Sequence, residues 1–265
     1  MNTVLHLPKN TVGRDLIIGD LHGCYDELWH LLKHIDYNSE QDRILFVGDL
    51  IDRGPKSERC FDMVQRNNVY STLGNHEEMM FQAVHNLNKP SYYDVWMANG
   101  GGWARELFQD WLPAFQAKLS RFEDKFPLVI VVGEGEDRFN VVHAEFYSAK
   151  RPLSNTDIDE WTFTPEEINN MIWGRTLIQY ATSNDHLFQH NMSTTYVGHT
   201  PTRVVLTSQS QIFIDQGCCF AVNAGQGRNA DSGLTIVCHQ DKKYWTLHPS
   251  DGNRVSQYDL PPIRW

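Results

Sequence analysis

Hydrophobic and polar positions follow one repeated pattern along this chain: a short β-branched or apolar run that stops abruptly at a cluster of Asp, His or Asn. Five copies stand out, DLIIGDLHG at 15–23, ILFVGDLIDRG at 44–54, VYSTLGNHE at 69–77, NVVHAE at 140–145 and TYVGHT at 195–200. Such runs predict buried strands, and in α/β folds the loops at strand carboxyl ends are where ligands bind. Five strand ends would therefore bring polar side chains to one rim.

Helical patterns fall between these runs. YDELWHLLKHI (25–35) sets Leu28, Leu31, Leu32 and Ile35 on one face, as a helix lying on a sheet requires. Pro55 suits the first turn of a second helix carrying Cys60, Phe61 and Val64, and His76 to Leu87 predicts a third. Thr-Pro-Glu-Glu at 164–167 is a capping box with Pro at the first helical position, leading to Ile172 and Trp173. Residues 91–126 carry Tyr92, Tyr93, Trp96, Trp103 and Trp111 and predict helices that cover the sheet or roof the site, with most of these aromatics in the core. The acidic stretch at Asp157, Asp159 and Glu160 reads as a solvated loop. From 194 onward, RVVL, QIFI, LTIV and KYWTL predict strands of a second, mostly antiparallel sheet. The expected fold is α/β, two packed mixed β-sheets flanked by helices. It forms a single domain over 1–265, with its core at about 15–238 and a cap-like helical insertion at about 91–126.

Composition narrows the function. Of the 265 residues 41% are hydrophobic, enough for a substantial core. A formal charge of −10 repels a nucleic-acid backbone, so no nucleic-acid partner is expected. No apolar stretch reaches the length of a membrane span and the N-terminus lacks a secretory pattern, which predicts a cytoplasmic protein without a membrane partner. The five cysteines, Cys24, Cys60, Cys218, Cys219 and Cys238, contain no CxxC pair; buried thiols are expected rather than disulfides or a zinc–thiolate site.

The polar clusters suggest metal chemistry. Asp20 and His22 follow the first strand, Asp49 the second, Asn75 the third, and His143 and His199 the fourth and fifth. Carboxylate, imidazole and amide oxygen without thiolate suit Mn²⁺, Fe²⁺ or Zn²⁺. One carboxylate can bridge two cations, so six such groups suffice for a pair. Against this stands the plainer possibility that Asp and Asn after strands are turn and N-cap residues and that each His is hydrogen-bonded filler. Gly100–Gly102 lack the following GK[ST] of a phosphate loop and read as a turn or close packing.

GDLHG, GDLIDRG and GNHE, in that order and about one βα unit apart, resemble the signature of calcineurin-like metallophosphoesterases, in their phosphoprotein phosphatase branch. GGGW at 100–103, VHAEF at 142–146, IWGR at 172–175, GHTP at 198–201 and IDQG at 214–217 resemble the subgroup of bacteriophage lambda and bacterial serine/threonine phosphatases. That resemblance implies Asp20 and His22 as ligands of a first metal, Asn75, His143 and His199 as ligands of a second, and Asp49 as the bridge. It implies His76 and Asp52 as a catalytic pair and Arg53 and Arg175 as phosphate-binding residues. The cofactor would be two divalent metal ions, manganese first, with iron, zinc, nickel and cobalt as alternatives. The activity would be phosphomonoester hydrolysis, on a phosphorylated protein or peptide at Ser/Thr and also Tyr, in a bacterial or phage-encoded protein.

The chemistry agrees with these roles. An imidazolium can protonate a leaving alkoxide while a neighbouring carboxylate orients it, and Arg forks match phosphoryl oxygens. His143-Ala144-Glu145 stands where eukaryotic members show HGG, which argues against regulatory-subunit partners. Asp52 replaces the Tyr of purple acid phosphatases, so no tyrosinate colour is expected. Two alternatives stand beside the phosphatase. GCYDELWHLL and DQGCCF resemble diadenosine tetraphosphate hydrolases, although GNHE replaces their GNHD; an inactive binding protein on the same fold would be expected to have lost some of these positions.

Overall fold

The computed structural model describes residues 3–181, 191–224 and 231–261. Along the chain run β1 (Val4–Leu7), β2 (Asp15–Ile18), α1 (Tyr25–His34), β3 (Arg43–Phe46), α2 (Ser57–Phe61), β4 (Val69–Ser71) and α3 (Asn75–His85). Then come α4 (Pro90–Ala98), α5 (Arg105–Asp110), α6 (Leu112–Ser120), β5 (Val129–Val132), β6 (Phe139–Val142), α7 (Asn155–Glu160) and α8 (Pro165–Trp173). The chain continues with β7 (Thr195–Val197), β8 (Leu206–Ser208), β9 (Gln211–Phe213), α9 (Cys218–Ala224), β10 (Leu234–Cys238), β11 (Lys243–His248) and β12 (Arg254–Asp259).

The strands form two six-stranded mixed sheets, ordered β1-β5-β6-β7-β9-β8 and β12-β11-β10-β2-β3-β4. Side-chain alternation decides the layers. On β2 and β3, Ile17 and Leu45 point inward to meet Ile130, Val132 and Val141 of the other sheet. Their neighbours Leu16, Ile18, Ile44 and Phe46 face outward onto Leu28, Leu31 and Leu32 of α1 and the helices beyond. On the far side, Val129, Val131 and Val142 pack against Ile158 of α7 and Met171 of α8. Both faces of each central strand are thus covered, which is why these runs are apolar without a break.

All five motif runs are strands, and the β2–β3 and β3–β4 pairs are parallel, as are β6–β7. They belong to different sheets, however: the first three to one, the last two to the other. The predicted second antiparallel sheet after 194 is corrected accordingly. Its strands divide, β8 and β9 joining β7 while β10 to β12 extend the sheet of β2. RVVL also yields a strand only from Leu206. The acidic loop expected at 157–160 is α7 instead. Ser154 precedes it, and Asp157 turns back to accept from the Ser154 amide at 2.8 Å while pairing with Arg151, so the charge is used rather than solvated. The capping box of α8 forms as expected, Thr164 Oγ1 accepting from Glu167 N at 3.3 Å and Glu167 from Thr164 N at 2.8 Å. All five cysteines are buried and free. Among the described residues no helix is long and apolar enough to cross a membrane.

Candidate metal centre

The loops leaving β2, β3, β4, β6 and β7 meet at one rim, bound by backbone. Leu21 and His22 donate to Asp49 O at 3.0 and 2.8 Å, and Gly198 donates to His143 O at 2.7 Å. A Cβ on Gly198 would lie 2.0 Å from Asp20 Oδ1, so only glycine permits this approach of the two sheets. Five residues at the rim adopt positive φ: His22 (42°), Asp49 (52°), Asp52 (73°), Arg53 (66°) and His199 (71°). Each such residue costs about 1–3 kcal/mol, a strain that concentrates where side chains must be aimed.

Two imidazoles have their tautomer set by backbone. His22 Nδ1 donates to Ile51 O at 2.8 Å and His143 Nδ1 to Val47 O at 2.9 Å, so that Nε2 carries the lone pair of each ring. Those lone pairs face opposite oxygens of Asp49, His22 Nε2 at 3.5 Å from Oδ2 and His143 Nε2 at 3.5 Å from Oδ1. Donors bound to one cation at about 2.0–2.2 Å stand about this far apart. Burial pushes His22 and His199 down to about 3 and lowers His143, so all three are neutral donors at neutral pH. Burial raises Asp49, but the positive charge that His143, His76 and His22 carry when protonated and the His76 amide, which donates to Oδ1 at 3.0 Å, together bring it below the usual carboxylate range.

The donor set fits divalent cations. His143 Nε2, His199 Nδ1 and Asn75 Oδ1 converge within 2.9–3.1 Å of one another, more lone pairs than the available protons satisfy. His76 Nε2 and His199 Nε2 are buried without a hydrogen-bond partner among the described residues, His76 Nε2 standing 3.9 Å from Asp49 Oδ2. Two groups share Asp49: His22 with His76, and His143 with His199. Asp20 belongs to neither. Its oxygens accept from His199 N at 3.1 Å and its carboxyl is hydrogen-bonded to Asp215; burial and the neighbouring Asp215 and Asp49 charges raise its pKa.

Beside this centre, His76 Nδ1 and Asp52 Oδ2 are 2.7 Å apart, both fully buried. Arg53 is exposed, and its Nη1 donates to His22 Nε2 at 2.7 Å. Arg175 is exposed near His143 and His199, where its positive charge helps burial lower both. The structure therefore brings all ten expected residues to one rim, with Asp20 turned toward Asp215.

Sequence reasoning missed the supports. Glu77, fully buried, accepts four backbone N–H groups, from Asp49, Leu50, Ile51 and Gly74, at 2.8–3.3 Å. Burial and the nearby Asp49 charge raise its pKa, while the amides of Asp49 and Leu50 oppose the rise. Its place at the third residue of α3 was the available signal. Glu145 accepts from Thr176 N at 2.9 Å and Leu177 N at 2.7 Å, fixing the turn that carries Arg175. Trp96 and Trp103, read as core, donate to Asp52.

Neutral imidazoles around a shared carboxylate, flanked by two guanidinium groups, suit the metal-assisted hydrolysis of a phosphoester. The chain belongs to the calcineurin-like phosphoesterases, a family of hydrolases with a dinuclear metal centre, whose family model it matches over residues 14–212. It is 27% identical to serine/threonine-protein phosphatase 1 of Salmonella typhimurium over 205 residues, covering 77% of this chain and 86% of that one. It is 40% identical to the symmetrical bis(5'-nucleosyl)-tetraphosphatase of Actinobacillus pleuropneumoniae serotype 5b, over 98 residues that make up 36% of each chain. Among solved structures, a protein serine/threonine phosphatase from Saccharomyces cerevisiae superposes with TM-score 0.56 over 100% of this chain and 85% of its own, at 14% identity, a likeness of fold.

Proposed function

We propose that this chain is a phosphoprotein phosphatase acting on phosphoserine and phosphothreonine, and also on phosphotyrosine, through a dinuclear centre. The observation that carries the metal reading is Asp49, whose two oxygens each stand 3.5 Å from the Nε2 of a different imidazole, His22 and His143. His22 and Asp20 would hold one cation, Asn75, His143 and His199 the other, with Asp49 between them; manganese heads the candidates. When bound, the two cations activate water and polarise phosphoryl oxygens. Arg53 and Arg175 bind the phosphoryl group. His76, oriented by Asp52, presents Nε2 to the leaving oxygen and gives it a proton. Residues 1–265 act as one domain, with 91–126 as its helical cap.

For the substrate, the likeness to the Salmonella phosphatase spans most of both chains, whereas the stronger identity to the tetraphosphatase is confined to about a third of each. A phosphoserine peptide and diadenosine tetraphosphate, assayed side by side with Mn²⁺, test the reading. Faster peptide turnover, expressed as kcat/KM, is expected, and a strong preference for the dinucleotide would overturn it.

A further inference from the structure

Asp52 has no solvent exposure, and three side-chain donors meet its carboxylate. His76 Nδ1 lies 2.7 Å from Oδ2, Trp103 Nε1 donates to Oδ1 at 2.7 Å, and Trp96 Nε1 reaches both oxygens at 3.1 Å. An indole nitrogen only donates, so both Trp contacts demand an acceptor at this position. The two indoles come from 44 and 51 residues further along the chain, outside all five strand-end loops. Their segment fixes the next residue too. Gly100 O accepts from Arg53 N at 3.2 Å, and Gly100 sits at φ +113° with its Cβ position 2.8 Å from that same nitrogen. Asp52 and Arg53 are consecutive left-handed residues, a conformation that persists only where its surroundings over-determine it.

We infer that Trp103 and Trp96 are positioning residues: they hold both oxygens of Asp52 so that His76 keeps Nε2 on the leaving oxygen, and they thereby suit the site to esters with poor leaving groups. The inference rests on the phosphatase reading and names its substrate class as alkyl phosphomonoesters. In such an ester the P–O bond breaks with its electron pair on the leaving oxygen, which takes the Nε2 proton; water supplies the new oxygen on phosphorus, and its released proton replaces the one lost. A nitrophenolate or a nucleotide phosphate departs as a stable anion and needs that proton far less. The extra donors on Asp52 therefore matter most for serine and threonine esters.

Trp103→Phe keeps an aromatic ring and removes one donor. Its kcat on a phosphoserine peptide is expected to fall about tenfold, and on 4-nitrophenyl phosphate less than about twofold, with KM unchanged for both. In an Asp52→Asn background the same substitution should add nothing. A second readout needs neither metal nor turnover: the ¹⁵N-indole signal assigned to Trp103 by its loss in Trp103→Phe should shift in Asp52→Asn. Equal losses on both substrates, a change confined to KM, additive losses in the double variant, or an unmoved indole signal would each overturn the inference. If the wild type cleaves diadenosine tetraphosphate and no phosphopeptide, the alkyl-ester assignment falls with the phosphatase reading, and the indole shift alone decides the contact with Asp52.

Discussion

The two halves of the rim are built differently. The loops after β2, β3 and β4 support one another: Asp49 O takes two amides from the first loop, and Glu77 from the third gathers four N–H groups of the second and third. The loops after β6 and β7 lean on that half for their aim. The His143 ring is oriented by Val47 O, and the His199 amide is held by Asp20. Short, self-bonded segments thus set a frame, and the distal imidazoles register against it. Damage to the first half should spread to the second, but not the reverse.

Asp49 is common to both halves, so Asp49→Asn should have the largest effect. Replacing one oxygen by NH₂ puts a donor against His22 or His143, whose lone pairs also point inward. A loss of roughly a thousandfold in kcat is expected, with weaker binding of Mn²⁺ by calorimetry. Retained activity would dissolve the shared centre. Next comes Glu77→Gln, which turns one acceptor into a donor facing backbone N–H groups at full burial. We expect about 2–3 kcal/mol lost in denaturant unfolding, together with reduced metal affinity, because the Asp49 loop loosens. Lost stability with unchanged metal affinity would show that the frame is not shared.

This difference in construction also explains what was legible in the sequence. The first half is written in contiguous motifs, since strand, turn and polar side chain follow one another; His22, Asp49, Asn75 and His76 each stand directly beside the strand that places them. His143 and His199, 56 residues apart, were readable because each still ends a strand, but their mutual registry was not. The sheet assignment failed after residue 194 because a short apolar run looks the same in either sheet; only pairing with β2 or with β6 decides it. β1 and β5, joined parallel across more than a hundred residues, carried no motif. Trp96 and Trp103 were hidden for another reason. A buried indole counts as core by composition, and only its N–H partner reveals a second role.

The smallest effect belongs to Glu145, the support of the distal half. Its carboxylate takes the amides of Thr176 and Leu177, and a Cβ on Gly174 would stand 2.5 Å from its Cγ, so the turn bearing Arg175 is seated directly on it. Yet Glu145 touches none of the imidazole nitrogens. Glu145→Gln retains one acceptor and loses the other, which should cost about 1 kcal/mol of stability and let Arg175 swing away from the phosphoryl group. On the proposed role Arg175 would meet substrate and transition state alike, so the change should appear as a rise in KM of about fivefold with kcat nearly kept. Inorganic phosphate should inhibit more weakly by the same factor, while Mn²⁺ affinity stays at the wild-type value. In an Arg175→Ala background Glu145→Gln should leave KM unaltered. A fall in metal affinity instead would mean that the frame runs both ways, with the distal half supporting the proximal one through Ala144 and His143.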